Sequence, residues 1–116
     1  MPGFSRTQRL LSKKDYQFVF AKPHKATRQY LIALYRSNHL PHARLGIIIP
    51  KHHVKTAVRR NRIRRVIRES FRHQEVLKGL DIVVLMRSKW TPLINQTLRD
   101  DINHLWHVIQ SSQKPS

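Results

Sequence analysis

Seven arginines and one acid share the fourteen residues from Arg59 to Arg72, and that density of guanidinium is matched to polyphosphate. A guanidinium offers paired, planar N–H donors to phosphate oxygens and keeps its charge at any physiological pH. The stretch contains neither Gly nor Pro, so a helix is free to form. At about 100° per residue, Ile63, Val66, Ile67 and Ser70 fall on one arc, with Phe71 at its edge. Asn61, Arg64, Arg65, Arg68 and Arg72 fall on the opposite arc. One face can pack on a core while the other presents guanidinium forks and an amide. A run of charge is more often just a solvated helix face. Here the basic residues are all Arg and i,i+4 acids are nearly absent. Like charges at that spacing destabilise a helix by about 0.2–0.5 kcal/mol per pair. A sequence that carries this cost uses the face, and nucleic acid is the polyanion that fits it.

A second candidate group is aromatic. Tyr16, Phe18 and Phe20 crowd one short segment, and adjacent helical positions cannot all face inward, so at least one ring should stay outside. An exposed ring beside basic residues is a stacking platform for unpaired bases. Tyr30, Tyr35 and Lys51 could extend such a surface. Enzyme signatures are poor. Phosphodiester hydrolysis by a protein site commonly needs clustered carboxylates holding metal ions. Asp100-Asp101 is the one adjacent acidic pair, and neighbouring helical positions do not face each other, so ordinary surface contacts are expected of one or both. His52 and His53 would point to opposite faces if extended, and His104 and His107 lack a third ligand. With three glycines in all, there is no glycine-rich phosphate loop. The residues argue for binding rather than bond-breaking by side chains.

The elements that must position these groups follow from the whole chain. Its 116 residues suit one domain, with 1–5 and 111–116 expected to be loose. Lys plus Arg number 23 against 6 acids, a net charge of +17 that a polyanionic partner would neutralise. No apolar run approaches the roughly 20 residues that span a bilayer, and the first residues lack a signal-like apolar segment, so a cytoplasmic protein is expected. The absence of cysteine removes disulfides and thiolate metal sites.

Ser12 and Asp15 read as a capping box, with Leu11 placed to staple onto Tyr16, opening a helix near 13–20. Tyr16, Val19 and Phe20 share one side of it and Phe18 another. Pro23 and the polar run 24–28 end it. Strands are predicted over 29–36 and 44–51, joined by a turn containing Asn38 and Pro41. The arginine helix should span about 56–73. Lys78-Gly79 turns the chain into a wholly apolar strand, 82–86. Thr91-Pro92 looks like the cap and first position of a last helix carrying Leu98, Ile102, Leu105 and Ile109, with Trp106 beside them. The class is α+β, with a small, mainly antiparallel sheet.

Three ordered segments carry a family resemblance. The run from Ala57 to Glu69 resembles the arginine-asparagine-arginine helix signature of the bacterial ribonuclease P protein component. Leu10 through Phe20 is similar to that family's N-terminal Leu-x-x-x-x-Phe-x-x-Val-Phe pattern, and Arg44 through Lys51 resembles the strand before the helix. The match runs over roughly residues 6–109. It departs at Tyr16, where Phe is usual, at Pro50, where a small polar residue is usual, and at His52-His53, where Lys and an apolar residue or Gly are commoner.

The resemblance implies an α–β sandwich with a mixed four-stranded sheet, three helices and a left-handed crossover, against the usual right-handed rule. A short fourth strand would lie within 22–28. It also implies a subunit of the endoribonuclease that removes 5′ leaders from precursor tRNA. The RNA subunit would carry catalysis with Mg²⁺, and the protein would supply no catalytic side chain and no metal ligand. Arg60, Asn61, Arg62, Arg64, Arg65, Arg68 and Arg72 would face the RNA subunit. Tyr16, Phe18, Phe20 and Lys51 would line the cleft for the leader. The protein would be monomeric in a 1:1 ribonucleoprotein. A structural RNA-binding protein of ribosomal type and a protein-only nuclease are the alternatives, the latter disfavoured by the shortage of acids.

Overall fold

The computed structural model describes residues 8–74, 77–89, 91 and 94–112. Three helices and four strands follow in the order α1 (Lys13–Ala21), β1 (His24–Thr27), β2 (Leu31–Ser37), β3 (Arg44–Ile48), α2 (Ala57–Arg72), β4 (Leu80–Met86) and α3 (Ile94–Ser112). The strands form one mixed sheet in the order β1-β2-β4-β3. β1 and β4 each run antiparallel to β2, whereas β3 and β4 are parallel neighbours joined through α2. The short fourth strand expected within 22–28 is β1. The expected strand 44–51 stops at Ile48, because the chain turns at Pro50, which has no N–H to give a ladder.

The two faces of the sheet do different work. With a side-chain period of two, Leu31, Ala33 and Tyr35 of β2 share a face with Leu45 of β3 and Leu80, Ile82, Val84 and Met86 of β4. This face is covered by α2 and α3. Ile63, Ile67 and Phe71 of α2 recur at i, i+4, i+8 and are buried, as are Leu98, Ile102, Leu105, Trp106 and Ile109 of α3. Trp106 closes the joint between the helices, its ring 5.8 Å from Phe71 and its Nε1 donating to Ser70 Oγ at 2.7 Å. Ser70 therefore sits on the apolar arc as the acceptor a buried indole requires.

Among the described residues, the helix on the opposite face is the nine-residue α1. Its single fully buried side chain, Val19, meets Val83 and Leu10. Ser12 caps the helix, accepting from Asp15 N–H at 3.2 Å, while Asp15 Oδ2 accepts from Leu11 and Ser12 N–H. Leu11 is 54% exposed, so the helix start rests on the capping box and not on the expected staple. Pro92 of the expected Thr91-Pro92 helix start, the expected loose end 1–5 and residues 113–116 of the other lie outside the described residues.

Gly79 turns into β4 at φ +76°, in the left-handed region that suits Gly, and its carbonyl accepts from Asn38 N–H. Of the acidic pair, Asp100 makes the ordinary surface contact expected of one or both, and Asp101 does not. It is buried on α3, accepts from Tyr30 N–H at 2.9 Å and pairs with Arg28 at 3.5 Å, fastening the β1–β2 turn to the helix. Asp100 is exposed and accepts from Gln96.

Candidate nucleic-acid interface

Thr56 starts α2 by accepting from Arg59 N–H, and the buried line Ile63–Ile67–Phe71 then fixes which arginines point away. Asn61, Arg64, Arg65, Arg68 and Arg72 line one shallow cavity of about 280 Å³ together with Glu69. The helical period therefore brings five of the seven expected RNA-subunit residues to one place. Arg60 and Arg62 stand apart. Arg60 is half-buried on the flank toward Val54, whose carbonyl it grips at 2.8 Å. Arg62, about 100° from Ile63 on the other side, is exposed on the flank shared with Val66 and Glu69. Among the described residues, the ion pairs are made by Arg28 and Arg44. No carboxylate is paired with Arg60, Arg62, Arg64, Arg65 or Arg72.

Arg64 and Arg68 lie close enough to Tyr16 to act on its hydroxyl, and Arg9 is close enough to Arg68 to act on its charge. Burial, Arg9 and Arg64 together push the Arg68 guanidinium down from its ordinary value, the signature of crowded cations. Arg9 also bridges to Leu45 of β3, so it widens the cationic face beyond the signature helix. Sequence reasoning missed Arg9, which lies outside any arginine run.

Tyr16 joins this face to a cleft. Its ring packs over Gly46, where even a Cβ would stand 2.7 Å from the ring and hydroxyl, so a glycine is needed there. Burial raises the phenol above its usual range, opposed by a backbone hydrogen bond from Ile47 and by the two arginines. Tyr16 and Phe20 lie along one side of α1 with ring centroids 6.3 Å apart, and Phe20 is 44% exposed. Phe18 lies on the other side, half-buried, with the Arg36 guanidinium 3.9 Å over its ring.

Register supplies the floor. Thr27, Ile32, Leu85 and Ile48 are successive cross-strand partners on the α1 face, and the last three are only half-buried. Beyond this open row the chain places exposed Lys51 after β3 and exposed Arg87 and Lys89 after β4. The result is an apolar floor, a wall of two rings and a basic rim, which can hold unpaired bases with their backbone at the edge. Tyr30 and Tyr35 do not extend it. Tyr35 is buried on the opposite face, stacked on His24 and hydrogen-bonded to Ser112, and Tyr30 packs against the same core. The period of two that buries Leu31 and Ala33 takes Tyr35 with them.

What holds α1 in place is a row of charges that the sequence reading passed over. Arg36, Asp81 and Arg44 are cross-strand partners under the helix. Asp81 is completely buried and takes two bonds from Arg44, at 2.8 and 2.6 Å, and one from Asn38 at 2.8 Å. Arg44 reaches on to Asp15 at 3.6 Å, at one end of α1, and its bonds to Asp81 raise its own proton affinity further. Arg36 donates to the Phe18 carbonyl at 2.7 Å near the other end. A strand pattern with Arg36, Asp81 and Arg44 at inward-alternating positions was the available signal.

Among the described residues no three His, Asp or Glu side chains cluster as metal ligands. Asp15, Asp81 and Asp101 are each already engaged by N–H donors and an arginine, so these carboxylates do not fit a divalent cation. No helix among the described residues is long and apolar enough to cross a membrane.

This geometry can be set beside known proteins. The family model Ribonuclease P matches residues 4–110. The ribonuclease P protein component of Aliivibrio fischeri is 43% identical over 105 residues, covering 90% of each chain, and that of Vibrio cholerae is 42% identical over 115 residues, covering 98% of this chain and 95% of the other. The solved RNase P protein of Staphylococcus aureus superposes with a TM-score of 0.78 at 27% identity, covering 87% of this chain and 94% of that one. That of Thermotoga maritima gives 0.70 at 26% identity, covering 89% and 96%. A basic helix backed by aliphatic residues, the four-stranded mixed sheet and these likenesses agree: the chain belongs to the ribonuclease P protein family.

Proposed function

We propose that this protein binds the RNA subunit of ribonuclease P through the α2 arginine face and holds the 5′ leader of precursor tRNA in the cleft beneath α1. Arg64, Arg65, Arg68 and Arg72, with Asn61 between them and Arg9 beside them, grip backbone phosphates. Arg60 and Arg62 add donors on the two flanks. Tyr16 and Phe20 stack leader bases over the Ile32–Leu85–Ile48 floor, and Lys51 meets their phosphates. Phe18, one face already taken by Arg36, serves the same cleft by fixing α1. Phosphate contacts set position and affinity while stacked bases select single strands, so the two surfaces divide the work.

The observation that carries this reading is the outward guanidinium groups of Arg62, Arg64, Arg65 and Arg72 on α2, with which no carboxylate among the described residues is paired. Cleavage is assigned to the RNA subunit. Mg²⁺ held by that RNA supplies the charge neutralisation cleavage needs, and this chain adds binding and orientation. A 1:1 ribonucleoprotein in the cytoplasm is part of the same proposal.

Reconstitution tests it. The protein is mixed with a ribonuclease P RNA and precursor tRNA at low Mg²⁺, and leader removal is measured. Stimulation over the RNA alone is expected. Tight binding to ribosomal RNA without stimulation would favour a structural RNA-binding role, and cleavage by the protein alone would overturn RNA-borne catalysis.

A further inference from the structure

His52 and His53 replace the residues commoner at this point of the family pattern, and neither surface described above uses them. They sit in a hydrogen-bonded turn. Pro50 O accepts from His53 and Val54 N–H, Val54 is buried, and its carbonyl is clamped by Arg60. The two imidazoles are in contact, with ring centroids 4.2 Å apart, and His53 Nδ1 is buried without a hydrogen-bond partner. Together with Val54, Lys55, Arg59 and Lys89 they line an open cavity of about 580 Å³. The charged groups facing the pair are Lys55 from the turn, Arg59 from α2 and Lys89 from the segment after β4. No carboxylate is among the described lining residues. Such a cavity disfavours a proton on His53 until an anion enters.

We propose that this cavity takes a backbone phosphate of bound RNA and that His52 and His53 bind a proton with it, making the grip on RNA stronger as pH falls from 8 to 6. Burial first, then His52 and Lys89, hold the His53 imidazole below its usual value in the free protein. Phosphate between the rings and Lys89 reverses those charge effects. The linkage has a definite sign: a group whose proton affinity rises on binding strengthens binding as pH drops through the window between its free and bound values. One proton taken up gives at most about tenfold in affinity per pH unit.

The proposal rests on RNA binding by this protein, and the experiment separates the two. The affinity of the full chain for a single-stranded oligouridylate, whose bases do not titrate in this range, is measured at pH 6 and pH 8 at fixed ionic strength. Wild type should bind about fivefold to tenfold more tightly at pH 6. In His52→Gln, His53→Gln and the double variant that ratio should fall toward one. Changing His104 and His107 on α3 to Gln should leave the ratio intact, and Arg65→Ala with Arg68→Ala should weaken binding equally at both pH values. A wild-type ratio near one, or a ratio preserved in the double histidine variant, overturns the proposal while RNA binding stands. Absence of binding at both pH values overturns both. His52 is exposed, so its single variant keeps the test open if changing His53 impairs folding. The His53 ring resonance, titrated with inorganic phosphate and with oligouridylate, identifies the source. A raised midpoint with both means that phosphate alone suffices, a raised midpoint with RNA only means that the backbone must place it, and no change with either contradicts the proposal.

Discussion

Arg36 and Arg44, under α1, end against protein: a buried carboxylate, a capping carboxylate, a carbonyl and a ring face. Arg64, Arg65 and Arg72, on α2, line a shallow cavity with no carboxylate paired to them among the described residues. The residue type is the same and the net charge is +17 throughout, so charge alone does not reveal which arginines are available to a partner. What each guanidinium ends against decides it. Of the 6 carboxylates in the chain, buried Asp81 and Asp101 hold Arg44 and Arg28, carbonyls hold Arg36 and Arg60, and Arg62, Arg64, Arg65 and Arg72 are left to a surface. Three of those carboxylates, Asp15, Asp81 and Asp101, lie where elements are tied together, and none of them reaches α2.

The contrast can be broken most severely at Arg44. Arg44→Ala leaves Asp81 buried without its cation, and truncating one side of such a pair costs about 3–5 kcal/mol. Thermal unfolding should show Tm lowered by about 10 °C or more. A stable variant would mean that Arg44 belongs with the surface arginines after all. Next in size is Phe20→Ala. An exposed ring adds little to stability, whereas a stacked base is worth about 1–3 kcal/mol. Affinity for leader-bearing precursor should therefore fall about fivefold or more while mature tRNA binding is unchanged. Equal losses on the two substrates would return Phe20 to a purely structural role.

The smallest effect concerns the fastening of α1. Burial tends to raise the Asp15 carboxyl, but the Leu11 and Ser12 amides and Arg44 outweigh it and hold it below the usual carboxylate range. A depressed folded value means that its contribution is complete above the unfolded value near 4 and is lost as pH falls through the folded one. Amide exchange at Leu11 and Ser12, corrected for intrinsic rates, should quicken below about pH 4 in wild type. In Asp15→Asn, exchange should be faster at neutral pH already and lose that dependence.

Much of this was legible in the residues. The helical arc of Ile63, Ile67 and Phe71 fixed the opposite arc of Asn61, Arg64, Arg65, Arg68 and Arg72, because a period of 3.6 leaves no choice once one stripe is buried. The capping box at Ser12 and Asp15 was equally local. What escaped were relations across the sheet. Nothing in the immediate surroundings of Arg36, Asp81 or Arg44 says that they are cross-strand neighbours; that depends on β4 inserting between β2 and β3. Tyr35 misled for the same reason, since an aromatic in a strand faces either way until the register chooses. Gly46 likewise looks like a weak point in a strand until the Tyr16 ring is seen lying on it. Arg9 became part of the basic face only because the chain before α1 runs beside β3.

The division between structural and available arginines is tested most directly by the salt dependence of binding to the RNA subunit. If about five phosphates are neutralised, log K against log salt should slope near −4 for wild type, and Arg65→Ala with Arg68→Ala should make it shallower by about 1.5. An unchanged slope would contradict the assignment of these arginines to RNA.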